Sequence, residues 1–417
     1  MENREGYKKT KIGWIPEDWE IAKIKDFGTV VTGSTPATKD RTLYGNEYLF
    51  ISPFDLSNGK YIETSEKKLS KKGFDQSRKL PKGSVLFTCI GSTIGKAGIT
   101  KSISTSNQQI NSIICDQQYS NEYLFYELSR QSKRIKSLAG FQAVPIINKS
   151  QFENFSIFCP PHEEQYIIAS CLSTWDRAIH TLNQLIQQKQ KRKKWLMQVL
   201  LTGKKRLPGF SKNWQNLKLR DVATEVALRN SNDNDYKVLS CTKYDGLVPS
   251  LEYFGRKIFS DNLTTYKIVP RNHYAYATNH IEEGSIGYQS DYEFGLISPM
   301  YTVFKTEENV NDDFLFPLLK SHQLIHEYQK RMEGSIDRRG GLRWDTFSGI
   351  SILLPPKEEQ TAIANVLQTA DKEIEKLNQK LELLKAQKKG LMQQLLTGRK
   401  RLVREENEKQ TNQKLKR

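Results

Sequence analysis

The sequence predicts an α+β protein in which two similar strand-rich domains are separated by two long, repeated helices. The stretch from Pro160 to Leu207 returns from Pro355 to Leu402 without a gap, and about half of its residues are identical. Each copy has apolar residues three and four positions apart, which is the period of a coiled coil. Between the copies, Val, Ile, Tyr, Phe and Thr alternate with polar residues and are interrupted by Gly, Asn and Asp, which is typical of strands and turns.

Each repeated stretch has the signals of a helix start and a helix stop. Two prolines suit the first turn, and a Glu-Glu pair lies near the positive end of each helix dipole (Glu163 and Glu164, Glu358 and Glu359). Gly203 and Gly398 mark the C-terminal ends. About forty residues at 1.5 Å each give a rod of roughly 60 Å. We expect the two helices to pack as an antiparallel coiled coil with internal pseudo-twofold symmetry; the alternative is that each helix buries its apolar stripe on its own globular neighbour. The predicted seam residues, which are also candidates for docking a partner, are Ile168, Leu172, Trp175, Ile179, Leu182, Ile363, Leu367, Ile374, Leu377 and Leu381.

The repeat extends beyond the helices into the domains that precede them. Trp19 and Trp214 stand in similar segments, at the same spacing from each other as the two helices. From Val403 onward the chain is charged and lacks apolar periodicity, which predicts a disordered tail. The predicted organisation is a first domain at 1–158, a first spacer helix at 159–207, a second domain at 208–353, a second spacer helix at 354–402 and the tail at 403–417.

Composition restricts the class of protein. The 417 residues are 37% hydrophobic and carry a net charge of +17, which suggests a polyanionic partner. Residues 20–158 contain nineteen Lys and Arg against twelve Asp and Glu, whereas residues 215–353 contain sixteen against nineteen. The sequence shows no apolar run long enough to span a membrane and no signal peptide, so we expect a cytoplasmic protein without membrane contact. Five cysteines without a C-x-x-C pair indicate core residues.

Sequence patterns typical of catalysis are weak in this chain. The Gly91–Lys96 turn differs from a phosphate loop in its glycine spacing and has Ala97 where a Ser or Thr would hold magnesium. Cys159-Pro-Pro-His162 lacks the Asn and Tyr that would hold an exocyclic amine in an amino-methyltransferase. We therefore predict a binding protein, with no catalytic residue of its own.

Metal-binding patterns are equally weak. Asp55 with Glu66 and Lys68 has the residue types of a nuclease site in a very loose pattern, and the second domain has no matching set. His322 and His326 are four residues apart, but no third ligand is indicated. We predict no metal site in this chain.

Two variable domains with duplicated helices, each reading Pro-Pro-x-Glu-Glu-Gln at the start and Leu-Met-Gln-x-Leu-Leu-Thr-Gly-(Lys/Arg)-Lys-Arg-Leu at the end, resemble the specificity subunit of type I restriction-modification systems. The resemblance covers nearly the whole chain. It implies that each domain is a target recognition domain for one half of a bipartite, asymmetric site on double-stranded DNA. It also implies that the helices set the gap and dock two modification subunits.

The resemblance implies no cofactor in this chain. S-adenosylmethionine would belong to the modification subunits, which methylate adenine, and ATP and magnesium are likewise expected in partner subunits, where restriction subunits translocate and cleave DNA. The acidic balance of the second domain departs from what phosphate contacts would require.

Base edges are read by bidentate donors and acceptors carried on loops, with Arg or Lys for guanine and Asn or Gln for adenine. On this basis we predict two sets of DNA-contacting residues. They are Thr93, Lys96, Asn107, Gln108 and Gln142 in the first domain, and Asn279, Tyr288, Arg338, Arg339 and Arg343 in the second.

Two other functions are compatible with the sequence. The chain could be a self-sufficient DNA methyltransferase or nuclease, which would act on DNA without other subunits. It could also be a coiled-coil scaffold that binds only proteins, in which case no specific DNA retention would depend on it.

Overall fold

The computed structural model describes residues 5–57, 59–140, 143–333 and 341–402. The chain divides into two compact units, the first made of Met1–Asn183 and Lys380–Arg417 and the second of Gln184–Gln379. The sequence-based boundaries follow the repeat, whereas this division cuts both long helices near their middle. Each unit therefore contains one strand-rich domain and one half of each helix.

The described part of the first unit contains two sheets and two strand pairs. One sheet has the strand order β4-β12-β9-β10-β7, the other has the order β11-β6-β8-β5, and β1 pairs with β2 and β13 with β3. The strands are β1 Tyr7–Thr10, β2 Gly13–Pro16, β3 Glu20–Lys23, β4 Gly28–Thr32, β5 Tyr44–Gly45, β6 Tyr48–Ile51, β7 Tyr61–Ile62, β8 Lys67–Leu69, β9 Val85–Thr88, β10 Ala97–Thr100, β11 Thr105–Ser106, β12 Ile110–Cys115 and β13 Ser156–Cys159; the helices are α1 Lys71–Gln76, α2 Asn121–Lys136, α3 Lys149–Glu153 and α4 His162–Leu200, which continues into the second unit.

The second unit is built on a similar plan. Its sheets have the strand orders β15-β22-β19-β20 and β17-β16-β21-β18, and β14 pairs with β23. The strands are β14 Gln215–Lys218, β15 Ala223–Glu225, β16 Lys237–Thr242, β17 Gly246–Pro249, β18 Lys267–Pro270, β19 His273–Ala277, β20 Ile286–Gln289, β21 Phe294–Ile297, β22 Tyr301–Thr306 and β23 Ser351–Leu354; the helices are α5 Ser250–Phe254, α6 Asp312–Leu319, α7 His322–Glu333, α8 Trp344–Ser348 and α9 Lys357–Leu395, which continues into the first unit.

The predicted α+β class with two long helices is confirmed. Helices α4 and α9 have 39 residues each and start just after the Pro-Pro pairs. Gly203 and Gly398, which follow the helix ends, adopt φ angles of 68° and 66°, the left-handed region that favours glycine. The predicted tail at 403–417 lies outside the described residues.

The two long helices pack against each other in antiparallel fashion within each unit. In the first unit, Lys388 near the end of α9 donates to Asp176 in the first half of α4. In the second unit, Lys193 near the end of α4 donates to Asp371 in the first half of α9. Both members of the second pair lie 195 positions from their counterparts in the first, so the repeat in sequence is also a repeat in contacts.

The seam residues divide between two kinds of neighbour. Ile168 and Leu172 are buried in the core of the first unit, together with Trp19 and Phe158, and Ile363 and Leu367 are buried in the core of the second. The first turns of each helix therefore pack both on a strand-rich domain and on the end of the other long helix, which contributes Leu395 to the first core and Leu200 to the second. Leu182 and Leu381, further along, are also buried.

Candidate nucleic-acid interface

A buried clasp fixes each strand-rich domain to the helices. In the first unit, Glu164 of α4 accepts a hydrogen bond from the indole nitrogen of Trp19 at 2.9 Å. Arg401, which follows α9, donates from Nε and Nη2 to the two oxygens of the same carboxylate at 2.6 and 2.7 Å. One carboxylate thus joins the Trp-centred segment, the start of α4 and the residues beyond α9.

The second unit repeats this clasp 195 positions away. Glu359, whose side chain is completely buried, accepts from the indole nitrogen of Trp214 at 3.0 Å and from two guanidinium nitrogens of Arg206. The Trp, Glu and Arg of the clasp all belong to the segments that the sequence repeats. The repeated motifs therefore hold the two domains on the long helices.

In the first domain, the turn from Cys89 to Lys96 joins β9 to β10. Thr93 is half-buried, and Lys96 is tied to its own domain, because its Nζ donates to Ser57 Oγ and approaches the Pro53 carbonyl at 3.4 Å. Phe54 lies between these two partners in sequence, and 65% of its surface is exposed. The structure therefore places an exposed aromatic ring on the loop that Lys96 contacts.

The Asn107-Gln108 pair lies on the loop between β11 and β12. Asn107 is a turn residue, since its Oδ1 accepts from the backbone of Gln109 at 3.1 Å and its Nδ2 donates to the Gln109 side chain. Gln108 is exposed, and its Oε1 accepts a hydrogen bond from Thr35. Of the predicted residues on this loop, Gln108 has the side chain that faces solvent.

Sequence reasoning missed several exposed apolar residues on the loops around this turn. Ile146 forms a bridge with Ile90 beside the turn, and the Gly91 amide donates to the Pro145 carbonyl at 2.9 Å. Ile146 and Phe54 are both exposed. No sequence signal separates such residues from core residues, because composition does not show which face a loop presents.

In the second domain, the structure brings two of the predicted residues onto neighbouring segments. The Leu342 amide donates to the Thr278 carbonyl at 2.7 Å, so the segment of exposed Arg343 runs beside the segment of exposed Asn279 although the two are far apart in the sequence. Gly341 permits this approach, because it has a φ of 63° and a Cβ there would lie 2.6 Å from the Thr278 carbonyl oxygen.

Of the remaining predicted residues, Tyr288 is bonded within the second domain and the others lie outside the described residues. Tyr288 is half-buried, and its hydroxyl donates to Asp312 at 3.0 Å, while burial raises its pKa above the ordinary value. Gln142 of the first domain and Arg338 and Arg339 of the second lie outside the described residues.

A surface that the sequence did not indicate surrounds Tyr244, which is 82% exposed and has the Lys243 amino group 5.5 Å from its ring centre.

Asp55, which the sequence offered as part of a loose nuclease-like pattern, has structural partners instead. The Asp55 carboxylate accepts hydrogen bonds from Ser52 and from the Glu66 backbone, so it stabilises a turn. The cysteines are free, and burial raises the pKa of the Cys89 thiol to about 12, so the thiol stays protonated at neutral pH.

One group of possible metal ligands occurs in the described residues: His280, Glu282 and Glu283. Their ligand atoms lie within 4.8 Å of one another, but exposed acidic groups commonly approach each other without a metal. None of the helices that the structure describes is long and apolar enough to cross a membrane.

Comparison with known proteins identifies the family to which both domains are similar. Residues 16–190 and 211–386 match the family model described as the type I restriction modification DNA specificity domain. The MjaVIII specificity subunit of a type I restriction enzyme from Methanocaldococcus jannaschii is 28% identical over 92% of this chain and 93% of its own length. The HindI specificity subunit of Haemophilus influenzae is 36% identical, over 37% of this chain and 34% of its own.

Solved structures show the same fold. The S subunit of a type I restriction-modification system from M. genitalium aligns with a TM-score of 0.52 and 14% identity, over 90% of this chain and 96% of its own. The HsdS subunit from Thermoanaerobacter tengcongensis aligns with a TM-score of 0.51 and 16% identity, over 92% of this chain and 98% of its own.

Proposed function

The chain belongs to the type I restriction modification DNA specificity family and is the DNA specificity subunit, a non-catalytic component, of such a system; from this premise we propose that each strand-rich domain reads one half of a bipartite DNA site. The observation that carries the proposal is the duplication of the family domain within one chain, with the same buried clasp in both copies. Since the domains differ in sequence between the repeated segments, the two half-sites would differ and the whole site would be asymmetric.

The two domains differ in net charge, so they would contact the DNA phosphates to different extents. Residues 20–158 have seven more basic than acidic side chains, whereas residues 215–353 have three more acidic than basic ones. Phosphate contacts dominate non-specific affinity and are lost as salt is raised. We therefore expect the first domain to supply more of the salt-dependent affinity, and the second to depend on local groups such as Arg343.

Helices α4 and α9 would set the unread gap between the half-sites. Each has 39 residues, or roughly 58 Å at 1.5 Å per residue, which exceeds one DNA turn of about 34 Å. The Lys-Asp pairs that repeat in both units fix the register of one helix on the other. A fixed register is what a constant gap requires.

We further propose that the helices dock two modification subunits, one for each repeat, and that restriction subunits join this complex. Exposed apolar residues on the helices, including Trp195 and Leu383, support a docking role. In the second unit a groove of about 330 Å³ opens between the helices, where Ala370 occupies the position that Trp175 has in the first repeat.

The specificity-subunit family carries no cofactor. In the proposed complex, S-adenosylmethionine would bind the modification subunits, which would methylate adenine, and ATP and magnesium would bind the restriction subunits. Because the substrate would be DNA inside the cell, the proposal places the chain in the cytoplasm.

The test is to map methylated adenines after reconstituting this chain with its modification partner. We expect two unlike half-sites separated by an unread gap of constant length. A single contiguous site would overturn the two-domain proposal. Methylation or cleavage by this chain alone, with magnesium and S-adenosylmethionine, would favour a self-sufficient enzyme; equal DNA retention when the chain is omitted would favour a protein-only scaffold.

A further inference from the structure

A lysine is buried between the first strand-rich domain and helix α4. The side chain of Lys60 is only 6% exposed, and its Nζ lies 3.1 Å from Glu122 Oε2, 3.1 Å from the Tyr126 hydroxyl and 2.5 Å from Ser173 Oγ. Glu122 and Tyr126 belong to α2, and Ser173 belongs to α4. A single ammonium group therefore joins the loop before β7, the domain helix α2 and the long helix α4.

Further hydrogen bonds extend this group to α9. The Tyr126 hydroxyl donates to Asp176 of α4, and Lys388 of α9 donates to the same carboxylate. Ser173 Oγ donates to Glu122 at 2.5 Å. We call these residues the Lys60 network: Lys60, Glu122, Tyr126, Ser173, Asp176 and Lys388.

The network is held in one arrangement by its electrostatics. Two cations face two carboxylates, and removing either partner of such a pair leaves a poorly solvated charge. Burial lowers the pKa of Lys60, and the charge and hydrogen bond of Glu122 act against that shift. Burial works to raise the pKa of Glu122, but hydrogen bonds from Ser173 and Tyr61 and the charge of Lys60 bring it below the ordinary value. Glu122 is therefore ionised at neutral pH and attracts the Lys60 amino group, which leaves the two side chains few alternative positions.

As far as the structure describes it, the second unit repeats the part of this network that joins the two helices and not the rest. Lys193 and Asp371 correspond to Lys388 and Asp176, but Gln368 stands at the position that corresponds to Ser173. Among the described residues, hydrogen bonds between the second strand-rich domain and α9 end at Thr361, which bonds to Asn311. In the described residues, hydrogen bonds thus attach the first domain to its helix over more turns than the second.

The network also connects to the turn that carries candidate DNA contacts. The Lys60 carbonyl accepts from the Ile99 amide of β10 at 2.8 Å, and β7 pairs in parallel with β10 through Tyr61 and Ile99. Strand β10 begins directly after Lys96, at the end of the turn that contains Thr93. The backbone of Lys60 therefore belongs to the sheet that carries this turn, while its side chain joins the same sheet to α2 and α4.

We infer that Lys60 is a positioning residue that fixes the angle of the first recognition domain on helix α4, and through it the gap length that the complex accepts. This inference rests on the proposed function. Lys60 itself need not touch DNA, because it faces α2 and α4. Its role is to make gaps one base pair too short or too long costly.

The test uses the chain in complex with its modification partner and DNA duplexes that carry the mapped half-sites. Their gaps are the mapped length, one base pair shorter or one longer. Lys60→Met keeps the length of the side chain and removes its charge. We expect the preference for the mapped gap to fall about tenfold, equivalent to ~1.4 kcal/mol, while the preferred bases of both half-sites stay the same. The matched control is Lys267→Met, which removes a partly buried lysine whose amino group donates to the Tyr301 carbonyl at 2.6 Å, a hydrogen bond that stays inside the second domain.

A second variant separates positioning from loss of folding. Lys60→Met combined with Glu122→Gln removes both charges, so no uncompensated carboxylate remains, and it should restore stability but not gap preference. Unchanged gap preference in both variants would overturn the inference, as would equal loss of affinity for all three gaps. A wild-type complex that recognises no bipartite site would instead refute the proposed function.

Discussion

Removing the Arg401 guanidinium tests whether the repeated clasp holds the first domain. Arg401→Met leaves Glu164, whose side chain is 9% exposed, with only the Trp19 indole as a donor in the clasp. It also removes the hydrogen bonds from Arg401 to Asp18 at 2.9 and 2.8 Å. The variant thus breaks one buried pair and one exposed pair at once.

The two pairs contribute unequally. Asp18 is about half exposed, and an exposed pair contributes roughly 0–1 kcal/mol. Breaking a buried pair costs about 3–5 kcal/mol, but Arg401 is 38% exposed, so solvent screening reduces the cost for Glu164. We expect a total loss of roughly 2–3 kcal/mol, which corresponds to local opening about 30- to 150-fold more often.

Hydrogen exchange of the β1–β2 hairpin and of the start of α4 measures this opening, because local opening sets the exchange rate of these amides. The control combines Arg401→Met with Glu164→Gln, which retains an acceptor for Trp19 without a buried charge and should recover most of the protection. If the double variant opens as often as the single one, an uncompensated Glu164 is not the cause. Arg206→Met should have the corresponding effect on β14 and β23 in the second unit and leave β1–β2 unchanged.

Three further predictions concern DNA recognition and stability. Inserting four residues after both Asn183 and Gln379 adds about 6 Å to each helix and slightly more than one helical turn, so each domain keeps nearly the same orientation about the helix axis. The mapped gap should lengthen by about two base pairs while both half-sites stay the same. An unchanged gap would show that the helices do not set it. Gln108→Ala should weaken one half-site by roughly 1–3 kcal/mol in binding titrations if its exposed amide reads a base, whereas a uniform loss on all sequences with a shallower salt slope indicates a phosphate contact. The pKa of Glu122 lies below its usual value near 4.5, so the stability it contributes is present above that pH and is lost as the pH falls through the lowered folded value. The thermal unfolding temperature should therefore fall less steeply in Glu122→Gln than in the unaltered chain as the pH is lowered from about 5 to about 3.

The sequence predicted the helices well, because their signals are local. Proline pairs, the three-and-four spacing and the terminal glycines act within a few residues, and α4 and α9 start and end where these signals stand. The period could not show what covers the apolar face. Leu172 and Leu367 fit a coiled-coil seam, and the structure buries them in clusters shared by a strand-rich domain and the end of the other long helix, with Leu395 in the first cluster and Leu200 in the second.

The candidate interface was less accessible to sequence reasoning. Lys96 has the residue type of a base contact, but the structure shows its amino group already engaged by Ser57 on a neighbouring loop. Lys60 had no distinguishing signal, because its partners are 62 or more positions away in the chain. Burial and long-range contacts decide both cases, and neither can be read from local pattern.

The two kinds of attachment impose different requirements on a recognition domain. The clasp of Trp19, Glu164 and Arg401 uses residues that the sequence repeats, so any domain placed between the repeated segments could be held by it. The Lys60 network is different, because Lys60 comes from the domain and Ser173 from the helix. A foreign first domain would bring a new partner to Ser173 while the clasp stayed intact. Attachment would then survive while the angle of the domain changed, so exchange of base preference and preservation of the gap depend on different contacts.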